Sequence, residues 1–259
     1  MFDYHMHCAF SADSDAPLEA QLLAAQAAGL TEVCFTDHVD FDGSGMPPAD
    51  IAARDAELEA LRGRFPQIRI RRGAEVGLKD RAAAEAAWDA LRDRDLDFII
   101  GSVHMVYGQD ACYPSFFAGR TRAESYRRYL QCILEALPAF PQLCVLGHYD
   151  FCCKFAPYPS RAMAYGVAPD LFDGIFRFLA SQGKGMEINT APWLKDGPWG
   201  LDVLKRYRAL GGEFVTVGAD AHRPSQVGNR LDEALELARA AGIPYLATYE
   251  ARKPAFHKL

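Results

Sequence analysis

The amino-acid sequence predicts an α/β fold in which seven parallel strands, each followed by a helical segment, close into a barrel. Two observations carry that expectation. Short apolar runs alternate with helical patterns along all 259 residues, the signature of βαβ units and a parallel sheet. Six of the seven histidines, His5, His7, His38, His104, His148 and His222, fall at or just past the C-terminal ends of those runs. In a (β/α) barrel these ends converge on one face, whereas an open doubly wound sheet strings them along a line.

In chain order, the expected strands are 3–8 (DYHMHC), 32–38 (EVCFTDH), 68–76 (IRIRRGAEV), 96–104 (LDFIIGSVH), 143–150 (LCVLGHYD), 184–190 (KGMEINT) and 213–222 (EFVTVGADAH). The helical segment 17–29 opens on Pro17 and stops at Gly29, following the proline-in, glycine-out asymmetry of helix ends. Segment 80–95 is rich in alanine and charge. Segment 121–140 begins with Thr121-Arg122-Ala123-Glu124, a capping-box pattern, and is expected to end before Pro138. Segments 169–185, 201–212 and 224–242 complete the set. The longest irregular pieces are 39–50 and 105–119, and long βα loops commonly carry function. With no internal repeat, low-complexity stretch or linker, residues 1–259 are expected to form a single domain.

Hydrophobic residues make up 50% of the chain and charged residues 24%, an ordinary globular composition. A net charge of −6 without a basic tract argues against a nucleic-acid surface. Small anionic substrates stay open, because bound cations invert a local field. No basic segment leads into an apolar run at the N-terminus, and no run reaches transmembrane length. A cytoplasmic protein without a membrane partner is therefore expected. Seven scattered cysteines read as reduced thiols, and the adjacent pair Cys152-Cys153 as structural. The oligomeric state is not legible.

His5 and His7 lie two apart, so on a strand both imidazoles project to the same face. Alone, such a pair is either partly solvated or half of a metal site. Carboxylates accompany the histidines at the same strand ends: Asp13, Asp37, Glu75, Asp150, Glu187 and Asp220. Each has a plain alternative, such as Asp37 orienting His38 or binding backbone, or Glu75 being solvated. Together they point to a metal centre, with a buried histidine cluster as the other reading. Mixed imidazole and carboxylate ligation without cysteine suits Zn, Mn or Fe. More candidates are present than one catalytic zinc needs, which implies two or three divalent ions with a carboxylate bridging a pair.

The ordered motifs HMH, TDH (36–38), GAE (73–75), GSVH (101–104), GHYD (147–150) and GADAH (218–222) resemble those of the PHP (polymerase and histidinol phosphatase) family. DYHMH, FSADSD, CFTDHVDFD and EINT more narrowly resemble its histidinol-phosphate phosphatase branch. The resemblance implies a distorted (β/α)7 barrel with a trinuclear metal site at the C-terminal ends of the strands. It assigns His5, His7, Glu75 and Asp220 to one metal, with Glu75 bridging to a second held by His104 and His148. A third falls to Asp13, His38 and His222. Asp15, two residues from Asp13, reads as a helix N-cap or first-turn carboxylate ahead of Pro17. His257 matches no motif and reads as solvated.

The implied activity is hydrolysis of a small phosphomonoester, L-histidinol phosphate, in histidine biosynthesis. Glu75 acts there within the metal cluster, and Asp220 or His222 is placed to protonate the leaving alkoxide. Two other readings stay open: a phosphoesterase of the same family acting on nucleotide or sugar phosphates, and a non-catalytic metal-binding module. For phosphate, Arg223 is the first choice of cation, followed by Arg161, Lys195 and Lys154, all in loops after strand ends. Lys195 stands where the family often carries an arginine after the ENT motif. Glu187 meets either the substrate amine or a ligand histidine. Tyr4, Phe41, Tyr107 and Trp193 are candidate pocket walls or core residues.

Overall fold

The structure, a computed structural model, describes residues 1–191 and 200–259. The expected strands form, all but β3 shorter than the apolar runs suggest; β3 keeps its nine residues, shifted by one. In chain order the elements are β1 (Phe2–Met6), α1 (Leu18–Ala27), β2 (Glu32–Phe35), α2 (Ile51–Arg62), β3 (Arg69–Gly77), α3 (Arg81–Leu91) and β4 (Phe98–Ser102). Next come the short β5 (Met105–Val106), β6 (Gln109–Asp110) and α4 (Pro114–Phe117), then α5 (Arg122–Ala136), β7 (Val145–Leu146) and α6 (Pro169–Ser181). The chain continues through β8 (Gly185–Asn189), α7 (Leu201–Ala209), β9 (Phe214–Gly218), α8 (Leu231–Ala240), β10 (Tyr245–Glu250) and β11 (Lys253–Lys258). The main sheet runs β1-β2-β3-β4-β7-β8-β9-β10-β11, and β5 and β6 form a separate hairpin. Every neighbour in the main sheet is parallel except β10 and β11.

Beyond pairing with β2, β1 also meets the chain just past β9. Met6 and Ala221 form a parallel bridge. His7 N donates to Ala221 O at 2.9 Å, and Asp220 N donates to His5 O at 2.8 Å. The first and last of the seven expected strands, β1 and β9, are thus neighbours, and their C-terminal ends lie together. The trimmed strands have a common cause: past Leu146 and Gly218 the backbone leaves the ladder to aim His148 and Asp220, and Asp220 takes a left-handed φ of 53° to do so.

Local chemistry explains the helices. The Thr121–Glu124 capping box forms at α5, and Pro169 opens α6. Three parts of the fold escape the sequence reading: 105–119, read as irregular, holds β5, β6 and α4, and helix α2 and the C-terminal hairpin are the other two. Helix α2 is capped by Asp50, whose side chain accepts from Ala53 N, but its inward face holds Arg54 beside Ile51, Leu58 and Leu61, and a buried charge hides the apolar period. The β10–β11 hairpin turns on Ala251 and Arg252, at φ 47° and 62°. That geometry normally announces itself with Asn-Gly; here Asp97 holds the turn, accepting from Ala251 N and Arg252 N at 3.0 and 2.9 Å. All seven cysteines are unpaired, and Cys152 and Cys153 are buried. No helix among the described residues is long and apolar enough to cross a membrane.

The hairpin seals the end of the sheet opposite the histidines. Tyr249 and Ala247 pack with Tyr4, Phe98, Cys144 and Phe214. The Tyr249 ring lies 4.9 Å from that of Phe98. Its backbone N donates to the Tyr4 hydroxyl at 2.8 Å, and that hydroxyl donates to Glu32. Tyr4 is therefore core, not pocket wall. His257, expected to be solvated, sits on exposed β11 with its ring 4.9 Å from Phe2 and Nε2 2.8 Å from Thr248 Oγ1. Tyr249→Ala empties this plug. Loss of a large buried ring is expected to cost about 3–5 kcal/mol in urea denaturation, with metal content unchanged.

Candidate metal centre

Glu75 is at the middle of the site. It lies on β3, level with His38 through a parallel bridge, and its residue is wholly buried. Its Oε2 is 3.0 Å from His5 Nε2, 3.3 Å from His7 Nε2 and 3.5 Å from His38 Nδ1. Its Oε1 is 2.8 Å from His148 Nε2 and 3.3 Å from His104 Nε2. Asp220 Oδ1 stands 3.3 Å from His7 Nε2 and 3.5 Å from both His5 Nε2 and His222 Nδ1. Asp13 Oδ2 reaches His222 Nε2 at 2.9 Å and His38 Nε2 at 3.5 Å. All nine ligand candidates meet in one cluster. Asp15 is exposed and does not cap α1, whose cap residue is Pro17.

Overlapping sets of donors gather within 4.8 Å of one another: His7, Asp13, His38 and His222; His5, His7 and Glu75; His5, His148 and Asp220; His38, Glu75 and His104. These differ from a strict three-way partition, since His5, His7 and His38 each stand in two sets, as does Glu75, and Asp220 groups with His5 and His148. The donor chemistry fits divalent metal. His5 Nε2 and His7 Nε2 face each other at 3.1 Å, against Glu75 and Asp220, so once the imidazole protons are displaced nitrogen and oxygen lone pairs converge on a point that suits a cation.

A further ring of carboxylates orients the imidazoles. His5 Nδ1 donates to Glu187 Oε1 at 2.6 Å. Glu187 Oε2 accepts from His148 N at 3.0 Å and Asn189 Nδ2 at 3.1 Å. Glu187 is 2% exposed with both oxygens engaged, so of its two expected partners, a substrate amine or a histidine, the contact it makes is with His5. Asp40, not singled out from sequence, accepts from Gly77 N at 2.6 Å. Its other oxygen lies 3.2 and 3.3 Å from Nδ1 of His38 and His104. Its only signal was its place two residues after TDH. Asp37 stays outside the cluster and binds backbone, accepting from Cys8 N at 2.8 Å.

Charge is balanced within the cluster. Burial pushes the Glu75 carboxyl up, but the imidazoles of His5 and His38 outweigh it and hold the group well below the usual carboxylate range. The same opposition, burial against His5, His7 and His222, holds Asp220 low. Burial disfavours the His5, His38 and His104 imidazolium ions, yet their carboxylate neighbours win. His104, beside Asp40 and Glu75, is pushed up to about 10. His7 alone goes down, by burial and by the charges of His222 and His38.

The cluster floors a cavity of about 390 Å³ walled by Tyr113, Phe151, Phe155, Met46 and Met105. Among the described residues Lys154 is the one lysine or arginine lining it. Arg223 is exposed and absent from the lining, and Arg161 instead donates to the Lys154 carbonyl at 3.4 Å. Of the loop cations considered from sequence and lying among the described residues, Lys154 lines the cavity and Arg223 does not. Phe41 and Tyr107 are surface residues, 38% and 49% exposed, the latter bonded to Glu135 at 2.8 Å. Lys195 and Trp193 lie outside the described residues.

The model of the PHP domain family matches residues 3–191. The histidinol-phosphatase of Lactococcus lactis is 32% identical, covering 97% of this chain and 95% of its own. A probable histidinol-phosphatase of Clostridium acetobutylicum is 26% identical, covering 94% of each. The crystal structure of the Lactococcus lactis histidinol phosphate phosphatase complexed with Zn, L-histidinol and phosphate superposes with a TM-score of 0.91 at 31% identity, covering 98% of both chains.

Because imidazoles raised by carboxylates carry protons in the metal-free cluster, metal must displace them. Calorimetric titration with Zn²⁺ at neutral pH is expected to show net proton release, read as an enthalpy that varies with the buffer's ionisation enthalpy. Affinity is expected to fall as pH falls, since protonation then competes more strongly. A buffer-independent enthalpy would contradict the assigned charge states.

Proposed function

This chain belongs to the PHP domain family, and on that premise we propose that it is a metal-dependent phosphatase hydrolysing L-histidinol phosphate to L-histidinol and phosphate, in histidine biosynthesis. The observation that carries the reading is Glu75, a buried carboxylate shared by five imidazoles on the floor of a substrate-sized cavity. The likeness to a relative crystallised with Zn, L-histidinol and phosphate supports the substrate. The bridge between Met6 and Ala221 supports closure of seven parallel strands into a distorted barrel, and one domain spanning 1–259.

We assign His5, His7, Asp13, His38, Glu75, His104, His148, Asp220 and His222 to two or three divalent ions, Zn, Mn or Fe. When bound, these supply Lewis acidity that offsets phosphoryl charge and acidifies water. The chain's own residues do the rest. Glu187 and Asp40 hold His5, His38 and His104 in register. The apolar walls keep bulk water from the reacting phosphate. His222, with a side chain 22% exposed, is the most open imidazole of the cluster, and its Nε2 already meets Asp13. With two ions bound and His222 left unligated, its Nε2 is the group to hand a proton to the leaving alkoxide, while Nδ1 is held by the Asp220 carbonyl at 3.0 Å. Bound to a third ion it would have no such proton to give. Lys154 is the cation for phosphate, as a point charge with three donors.

Purified protein is expected to release phosphate from histidinol phosphate, to lose that activity in a chelator and to regain it with Zn²⁺ or Mn²⁺. Its kcat/KM should be higher than on nucleotide or sugar phosphates. Equal rates on all would move the reading to a general phosphoesterase, and no release with metal restored would overturn it. Lys154→Ala should lower kcat/KM ten- to a hundred-fold, the loss of a charge-assisted contact on the order of 1.5–3 kcal/mol. Metal content should be unchanged. Arg223→Ala should stay near wild type, and the reverse ranking would restore Arg223 as the phosphate contact.

A further inference from the structure

We propose that Ser11, locked by a buried Arg54–Asp37 pair, fixes the tautomer of His7 and so aims a lone pair of its Nε2 into the metal cluster. Ser11, Asp37 and Arg54 are then positioning residues, reaching from α2 to the centre. The inference rests on the reading of His7 as a metal ligand.

The direction of each hydrogen bond follows from which groups can donate. Arg54 is wholly buried and has donors only. Its Nη1 donates to Phe35 O at 3.3 Å and to Asp37 Oδ2 at 3.2 Å. Its Nε and Nη2 donate to Asp55 Oδ1 at 3.0 and 2.8 Å. Facing a guanidinium, Asp37 is a carboxylate and accepts only. Its Oδ1 takes Cys8 N at 2.8 Å and the Ser11 hydroxyl at 2.9 Å.

Ser11 has one hydrogen, and it points at Asp37. Lone pairs alone are left on Oγ for its other two neighbours. One is the His38 backbone N–H, at 3.2 Å. The other is His7 Nδ1, also at 3.2 Å, which must therefore carry the ring hydrogen. A neutral imidazole protonated at Nδ1 keeps its lone pair on Nε2. That atom lies 3.3 Å from both Glu75 Oε2 and Asp220 Oδ1 and 3.1 Å from His5 Nε2. The same Ser11 oxygen pins the backbone at His38, so one hydroxyl sets two ligands. Without it His7 is free to carry its hydrogen on Nε2, where no metal can then bind.

The test uses the full chain labelled with ¹⁵N-histidine. Two-bond ¹H–¹⁵N spectra of the metal-free protein at neutral pH report the tautomer of each ring. His7 is expected to be the Nδ1–H form in wild type and to lose that preference in Ser11→Ala. Outer partners of ligand histidines typically govern metal affinity ten- to a hundred-fold, so the Zn²⁺ dissociation constant of Ser11→Ala, from chelator competition, should rise by roughly that factor. Ser11→Ala also leaves the buried His38 N–H unpaired and is expected to lower the denaturation midpoint of the metal-free chain. Zn²⁺ affinity is therefore compared where both chains are fully folded, with rescue by Ser11→Thr separating positioning from general stability. His7 found as Nε2–H in wild type would overturn the inference, as would Ser11→Ala binding Zn²⁺ as tightly as wild type. The tautomer readout needs no substrate, so a chain inactive on histidinol phosphate would fail the phosphatase reading alone.

Discussion

Five imidazoles around one buried carboxylate is the constraint from which the rest of this structure follows. Glu75 cannot stay ionised without them, and they cannot crowd together without it. They arrive from separate parts of the chain: His5 and His7 at the end of β1, His38 after β2, His104 after β4 and His148 after β7. Only parallel strands, all running toward one face, deliver such a set without long detours. The close approach is tight in places. A side chain at Gly218 would put its Cβ 2.3 Å from His5 Cβ and 2.5 Å from Glu187 Oε1, so β9 can lie against β1 only because it ends on glycine.

Burying this much charge needs an outer ring of partners, and the chain supplies them at short range. Glu187 holds His5, Asp40 is shared by His38 and His104, and Ser11 lies between His7 and Asp37. These anchors sit on strands or just beyond strand ends, so packing that stabilises the sheet also orients the ligands. The cavity above the cluster is lined by apolar and polar groups together, Tyr113, Phe151 and Met105 beside Lys154 and Asp110.

Much of this was legible because histidine is scarce and its placement at strand ends is improbable unless the ends meet. His5, His7, His38, His104, His148 and His222 announce the site through spacing against apolar runs, and the ordered motifs add the family. Other features were hidden for physical reasons. Asp40 and Ser11 are common residue types whose importance lies in a contact made across the fold. Arg54 lies in a helix whose pattern the sequence hides, and only packing shows it to be buried. Arg223, adjacent to His222, was the first choice from sequence, yet it is exposed while Lys154 lines the cavity, because neighbours in sequence need not face the same way once the strand has ended. The C-terminal hairpin carried no turn signal because Asp97, far away in sequence, holds its turn.

The meeting of β1 with the segment after β9 has a consequence for synthesis. Met6 pairs with Ala221, and Tyr4 packs under Tyr249, so the first strand waits for residues more than two hundred positions later. A nascent chain on the ribosome can stack its middle units as they emerge. Its first strand, with His5 and His7, then has a partner in β2 alone and an unfilled edge toward the missing β9. Glu75 has lost none of its sequence neighbours at that stage, yet Asp220 and His222 do not exist. The metal centre is therefore a late event in the life of each molecule, assembled when the two ends of the chain join, and contacts of such long sequence separation are the slow ones to form.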